Sequence, residues 1–155
     1  MSVKTLIAFV TAGGATERYA QVVAETLRSA GHDVEVVDLK RAKVADLSGY
    51  DGVVLGAGVR MGMVYRKAKA FLARKDLKGT HLAVFLSSGI AIEDPEKARA
   101  KFLTPLMTRH GLEPVACDAF PGRMPGSAGK ANDRTDAQRA RLWAGRVAGL
   151  LAGAR

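Results

Sequence analysis

At 155 residues, with 48% apolar and 25% charged residues, the chain has the size of a single domain with a full hydrophobic core, and no repeat or low-complexity tract interrupts it. No apolar run approaches the roughly 18 residues that span a bilayer, Met1-Ser2-Val3 runs into a strand pattern without a signal-type core, and the single cysteine, Cys117, excludes an internal disulfide framework, so a soluble cytoplasmic protein is expected. The net charge of +9 favours anionic partners, whether protein, nucleic acid, lipid surface or small molecule, and does not choose among them.

Short apolar runs alternate with helical patterns along the chain. Val3 to Val10 reads as the first strand, and Thr16 to Ala30 as a helix with Tyr19, Val22, Val23 and Leu27 on one face, closed by Gly31. Val34 to Leu39 is the second strand, and Val53 to Leu55 the third, ending in Gly56-Ala57-Gly58. A basic helix from about Val64 to Leu72 precedes His81 to Leu86, the fourth strand. Asp94-Pro95-Glu96 opens a helix that runs to His110 and stops at Gly111. Pro114 to Phe120 is the fifth strand, the Pro-, Gly- and Ser-rich stretch Pro121 to Asp133 a surface loop, and Thr135 to Leu151 the last helix. Five strands alternating with helices predict an α/β fold, a doubly wound five-stranded parallel sheet in the order 2-1-3-4-5 with helices on both faces. Ligands of such sheets bind at the strand C-termini beside the switch point between strands 1 and 3. That topology brings Thr11 to Thr16, Gly56 to Met63 and Ser87 to Glu93 to one edge.

Thr11-Ala12-Gly13-Gly14-Ala15-Thr16 joins the first strand to the first helix. Glycines that let backbone amides approach an anion, flanking hydroxyls and a helix N-terminus together make a phosphate cradle. The plainer reading is a turn in which Gly13 and Gly14 supply dihedrals and Thr16 a cap. G-x-G-x-x-G and G-K-[ST] are both absent, so neither the dinucleotide fingerprint nor the P-loop applies.

With T-A-G-G-A-T-E as first loop, G-A-G-V-R-M-G as second and L-S-S-G as third, the sequence resembles the flavodoxin family over almost its whole length. Within that family it is most similar to the branch that includes menaquinone-dependent protoporphyrinogen oxidase. The resemblance implies non-covalent FMN, with the phosphate on Thr11, Ala12, Gly13, Gly14, Ala15 and Thr16. It places the ring between Ala57, Gly58, Val59, Arg60, Met61 and Gly62 on one side and Ser87, Ser88, Gly89 and Ile90 on the other. A second-loop peptide next to Gly58 or Gly62 is expected to bond the flavin N5. The implied function is electron transfer through the flavin, with no separate catalytic residue and no metal. The alternatives are an FMN-dependent oxidoreductase acting on porphyrinogen and quinone, and a flavin-free binding or scaffold module.

Two departures matter. Neither ring loop holds an aromatic, so Val59, Met61 and Ile90 would contact the flavin, and weaker FMN binding is expected. Acidic members of the family destabilise the anionic reduced flavin, whereas Arg60 would stabilise it if it faced the ring and would do nothing if it pointed to solvent or paired with Glu93. Partners are expected to be an acidic redox protein, or a quinone or porphyrinogen, with no specific nucleic acid and no transmembrane segment. The basic run Arg66, Lys67, Lys69, Arg74, Lys75 and Lys78 is either a solvated face or a docking surface. The short Phe120 to Asp133 loop weighs against a porphyrinogen, although Arg60 and Arg123 could meet propionates. His32, His81 and His110 lack metal-ligand spacing, Cys117 reads as an inert thiol, and Trp143 as a packing anchor.

Overall fold

The computed structural model describes residues 3–11, 14–122 and 135–153. Strand β1 (Lys4–Val10) leads to helix α1 (Ala15–Ser29) and strand β2 (Asp33–Asp38). Then come β3 (Gly52–Arg60), the two-residue β4 (Met63–Val64), α2 (Arg66–Leu72), a 3-10 turn (Lys75–Gly79) and β5 (His81–Ser88). A 3-10 turn (Ile90–Ile92) is followed by α3 (Pro95–Ala98), a π turn (Arg99–Leu103), α4 (Thr104–His110), β6 (Ala116–Pro121) and α5 (Ala137–Gly153).

The long strands are parallel in the order β2-β1-β3-β5-β6, and β4 pairs antiparallel with β3. Without the added hairpin strand this is the expected 2-1-3-4-5 order. Alternation along each strand sends successive side chains to opposite faces, which gives the sheet two cores. Leu6, Ala8 and Val10 of β1 pack with Phe71, Leu103 and Met107 from the α2 to α4 side. Ile7 and Phe9 pack with Tyr19, Leu27, Trp143 and Val147 from α1 and α5. Trp143 is the anchor the sequence predicts: its ring meets Phe85 and Phe120 edge-on at centroid distances of 5.8 and 5.7 Å. Each such contact adds about 0.5–1.5 kcal/mol to the burial itself.

The third strand does not stop at Leu55. It continues through Gly56, Ala57 and Gly58 to Arg60, pairing Ala57 with Val10 and Leu86, and Gly58 with Ser87. The glycines that suggested a loop are instead close-approach positions. A Cβ on Gly56 would stand 2.2 Å from Phe85 Cζ, and one on Gly58 would stand 3.1 Å from Tyr65 Cε2 and 3.2 Å from Thr16 Oγ1. The single helix expected from Asp94 to His110 is broken by the π turn. Its ends are as expected: the Asp94 carboxylate accepts from Lys97 N–H at 3.0 Å, and Gly111 terminates it at φ 63°.

His32 is a core histidine. Its Nδ1 lies 3.1 Å from Thr5 Oγ1 and its Nε2 3.2 Å from the Ala148 carbonyl, which joins β1 to α5. Arg74 leaves the basic run: it grips Asp76 through Nε and Nη2 at 2.9 and 2.8 Å and donates to the Val44 and Ala45 carbonyls, fastening the stretch after β2.

Candidate functional site

The site is built at the C-terminal edge of β1, β3 and β5. Gly14, at φ 87° and ψ −8°, is the left-handed residue that starts α1, and no side chain among the described residues caps the helix. Its N–H donates to Thr11 Oγ1 at 3.0 Å, which folds the turn on itself and uses the Thr11 hydroxyl as an acceptor, with its hydrogen still able to donate. Arg18 N–H to Gly14 C=O is the first bond of the helix, at 3.1 Å, so the amides of Ala15, Thr16 and Glu17 precede the helical ladder. Uncapped amides, a positive helix end and a free hydroxyl suit an anion. Ala12 and Gly13 lie outside the described residues.

Thr16 does not cap the helix. It is 1% exposed, and its hydroxyl lies 2.7 Å from that of Ser87 at the end of β5, a buried bond between the first and third loops. Ser88 Oγ accepts from Ile90 N–H at 3.1 Å, and the Ser88 carbonyl accepts from Gly122 N–H at 3.2 Å, so the Ser88 to Ile92 turn is pinned to β6. Gly89 and Ile90 are half-buried beside it.

The second loop is a hairpin. Ala57 belongs to the core and Gly58 to the sheet, Val59 pairs with Val64 and Arg60 with Met63, and Met61 and Gly62 form a two-residue turn at φ 52° and 76°. Such a turn needs left-handed residues at both positions. Met61 is 92% exposed and Met63 62%, and Ile92 of the third turn is also exposed. Arg60 is exposed and forms no ion pair among the described residues, so the expected alternative contact with Glu93 is not made.

Two tyrosines near these loops make contacts that the sequence does not announce. The Tyr19 hydroxyl donates to the Pro121 carbonyl and accepts from Asp136 N–H, tying α1 to β6 and to the start of α5. Its signal was a hydroxyl on an otherwise apolar helix face. Tyr65, just before α2, fills the space that Gly58 leaves open. Among the described residues no group of three or more His, Cys, Asp or Glu side chains could hold a metal, and no helix is long and apolar enough to cross a membrane. Cys117 is held inactive: burial pushes its thiol up to about 11, against the opposing pull of Arg99.

A sequence model of the flavodoxin domain matches residues 6–139. The chain belongs to the flavodoxin family. FMN is the cofactor of that family, and electron transfer through it the family function. The loops of this flavodoxin fit it: the uncapped α1 turn suits a phosphate, and the exposed apolar groups of the hairpin and of Ile92 suit a flat ring. The chain is 30% identical over 95 residues to protoporphyrinogen IX dehydrogenase (quinone) of Escherichia coli K12, covering 61% of this chain and 52% of that protein. It therefore spans about half the length of the curated relatives it matches first. It is also 30% identical over 149 residues to an NAD(P)H dehydrogenase (quinone) of Sinorhizobium fredii, covering 78% and 74%. Among solved structures it is similar to oxidised flavodoxin 1 of Bacillus cereus, with TM-score 0.68, 20% identity and 97% of both chains covered. It is also similar to Megasphaera elsdenii flavodoxin, with TM-score 0.66, 21% identity and 94% and 98% covered.

Proposed function

We propose that the chain is a one-domain electron carrier of the cytoplasm that holds FMN with its phosphate on the Thr11 to Thr16 turn and its ring between the β3–β4 hairpin and the Ser88 to Ile92 turn. The observation that carries the reading is the start of α1, where a helix end without a side-chain cap, left-handed Gly14 and the Thr11 hydroxyl meet. Thr16 serves there through its amide, because its hydroxyl is engaged by Ser87.

Bound FMN supplies reversible one- and two-electron transfer. The part of this chain is to hold it, orient it and set the charge around it. Gly58 is held in the β3–β5 ladder opposite Ser87, whereas the Met61–Gly62 peptide lies at the hairpin tip, so the latter is the one free to bond the flavin N5. Arg60 adds a cation at the same hairpin and favours the anionic reduced flavin. The surplus of positive charge favours an acidic redox protein as partner. A second reading, FMN-dependent oxidation with a quinone as acceptor, is supported by the two quinone dehydrogenases among the relatives.

The test is the absorbance spectrum of the protein after FMN is added and the excess removed, then after dithionite. A retained flavin spectrum that bleaches and returns supports the carrier. No retention at high FMN overturns it in favour of a binding module, and turnover with porphyrinogen and quinone would replace the carrier by the enzyme.

A further inference from the structure

We propose that the corner where the end of β2, the β3–β4 hairpin and the start of α2 meet is the docking surface for an acidic redox protein. The proposal rests on the carrier reading above and adds where the partner sits. Residues 38–41 and 60–67 hold five cations, Lys40, Arg41, Arg60, Arg66 and Lys67, against one carboxylate, Asp38. The fold gathers these two segments. Lys40 Nζ lies 5.4 Å from the centre of the Tyr65 ring, and Lys67 Nζ donates to the Leu39 carbonyl at 3.3 Å. The carboxylate of Asp38 faces Arg41 at 3.6 Å. Lys40, Arg60 and Arg66 are exposed and make no ion pair among the described residues, so their field reaches solvent.

Beyond β5 the third turn of the same edge carries the opposite sign, with Glu93 and Asp94 exposed, before Glu96 pairs with Arg99 at 3.6 Å and Lys97 restores balance in α3. A partner with an acidic patch is therefore drawn to the β2 side and turned by the β5 side, which is how charge gives orientation as well as rate. At the hairpin tip Met61 combines two unfavourable choices, an apolar side chain almost fully in water and a left-handed backbone that a non-glycine residue resists. Met63 beside it is also exposed. An apolar centre flanked by steering charge is the make-up of a transient protein interface. The patch is too small to anchor in a bilayer, and this favours a protein over a lipid surface.

The remaining basic residues are the natural control. Lys75 and Lys78 lie on the 3-10 turn that precedes β5, at the opposite edge of the sheet. The experiment measures, by calorimetry at low and high salt, the binding of an acidic [2Fe–2S] ferredoxin, used as a probe of charge, to the FMN-loaded and the flavin-free chain. Lys40→Glu/Arg66→Glu is expected to weaken binding about tenfold at low salt and to flatten its salt dependence, whereas Lys75→Glu/Lys78→Glu changes it less than about twofold. Equal effects of the two pairs, no effect of either, or binding to phosphatidylglycerol vesicles in place of the ferredoxin would overturn the proposal. Failure to retain FMN would overturn the carrier reading alone, because the flavin-free chain still reports on the surface.

Discussion

Among the described residues, the hydroxyl pair Thr16–Ser87 is a buried side-chain bond that joins the start of α1 to the end of β5, and its energy is measurable. The oxygens are 2.7 Å apart, with Thr16 1% and Ser87 5% exposed. Gly58 closes one side, since even a methyl there would stand 3.2 Å from Thr16 Oγ1. Thr16→Val keeps the shape of the side chain and strands the Ser87 hydroxyl without a partner, and Ser87→Ala strands that of Thr16. A buried hydroxyl left unpaired costs about 1–3 kcal/mol, while removing both partners together is close to neutral. The double variant should therefore be no less stable than either single one, with a coupling at least as large as one single loss, about 1–3 kcal/mol. Urea unfolding of the flavin-free chain measures all four corners of the cycle. Strictly additive losses would mean that the two hydroxyls do not depend on each other, and the account of how the loops are held together would fail.

Gly56→Ala forces a methyl to 2.2 Å from Phe85 Cζ, in a ring that Tyr19, Phe120 and Trp143 hold in place, so a loss of about 3 kcal/mol is expected, partly recovered in Gly56→Ala/Phe85→Leu. A wild-type urea midpoint for Gly56→Ala would refute the close approach. Arg60→Gln should lower the potential for forming the anionic reduced flavin by about 40 mV, from about 1 kcal/mol of lost attraction between exposed charges, and an unchanged redox titration would place Arg60 out of reach of the ring. Tyr50 donates to Glu35 and is pushed up to about 12 by burial first, then by that bond and the carboxylate charge. Because its folded pKa is raised, the associated stability is complete below about pH 10 and is lost as pH rises through about 12. Ultraviolet titration should show a late tyrosinate step that Tyr50→Phe abolishes and Glu35→Gln moves down, and a Glu35→Gln titration matching wild type would remove the carboxylate as a cause.

What the sequence made legible is local. Val3 to Val10 and the Tyr19, Val23, Leu27 face announce β1 and α1 because period and propensity agree there, and Gly111 marks a helix end because its left-handed turn is a property of one residue. The Thr11 to Thr16 turn was visible as a candidate for the same reason, since glycine, hydroxyl and helix start are adjacent in the chain. What stayed hidden depends on distant partners. Gly56 and Gly58 look like loop residues until Phe85, Tyr65 and Thr16 are seen against them. Arg74 looks like one more surface cation until it meets the carbonyls of Val44 and Ala45. Tyr19 looks like core until its hydroxyl is found between Pro121 and Asp136.

Strand β3 gives the site a fixed base and an adjustable tip, and the same glycine-rich stretch explains both. From Gly52 to Ala57 the strand is buried and paired on both sides, Gly58 is paired with Ser87 alone, and glycines let Phe85, Tyr65 and Thr16 close on this stretch, so the base cannot shift without a stability cost. Past Gly58 the partners are lost: Arg60 pairs only with Met63, and a Cβ at Gly62 would meet nothing within 4 Å. Reorienting the Met61–Gly62 peptide thus disturbs no packed group, and on the proposed reading the hairpin is the part expected to answer a change of charge at the cofactor while the Thr11 to Thr16 turn and the Thr16–Ser87 bond stay in place. On the proposed reading, stability and redox tuning fall on different halves of one strand: substitutions below Gly58 are expected to act on folding, and substitutions beyond it on the flavin and its partner.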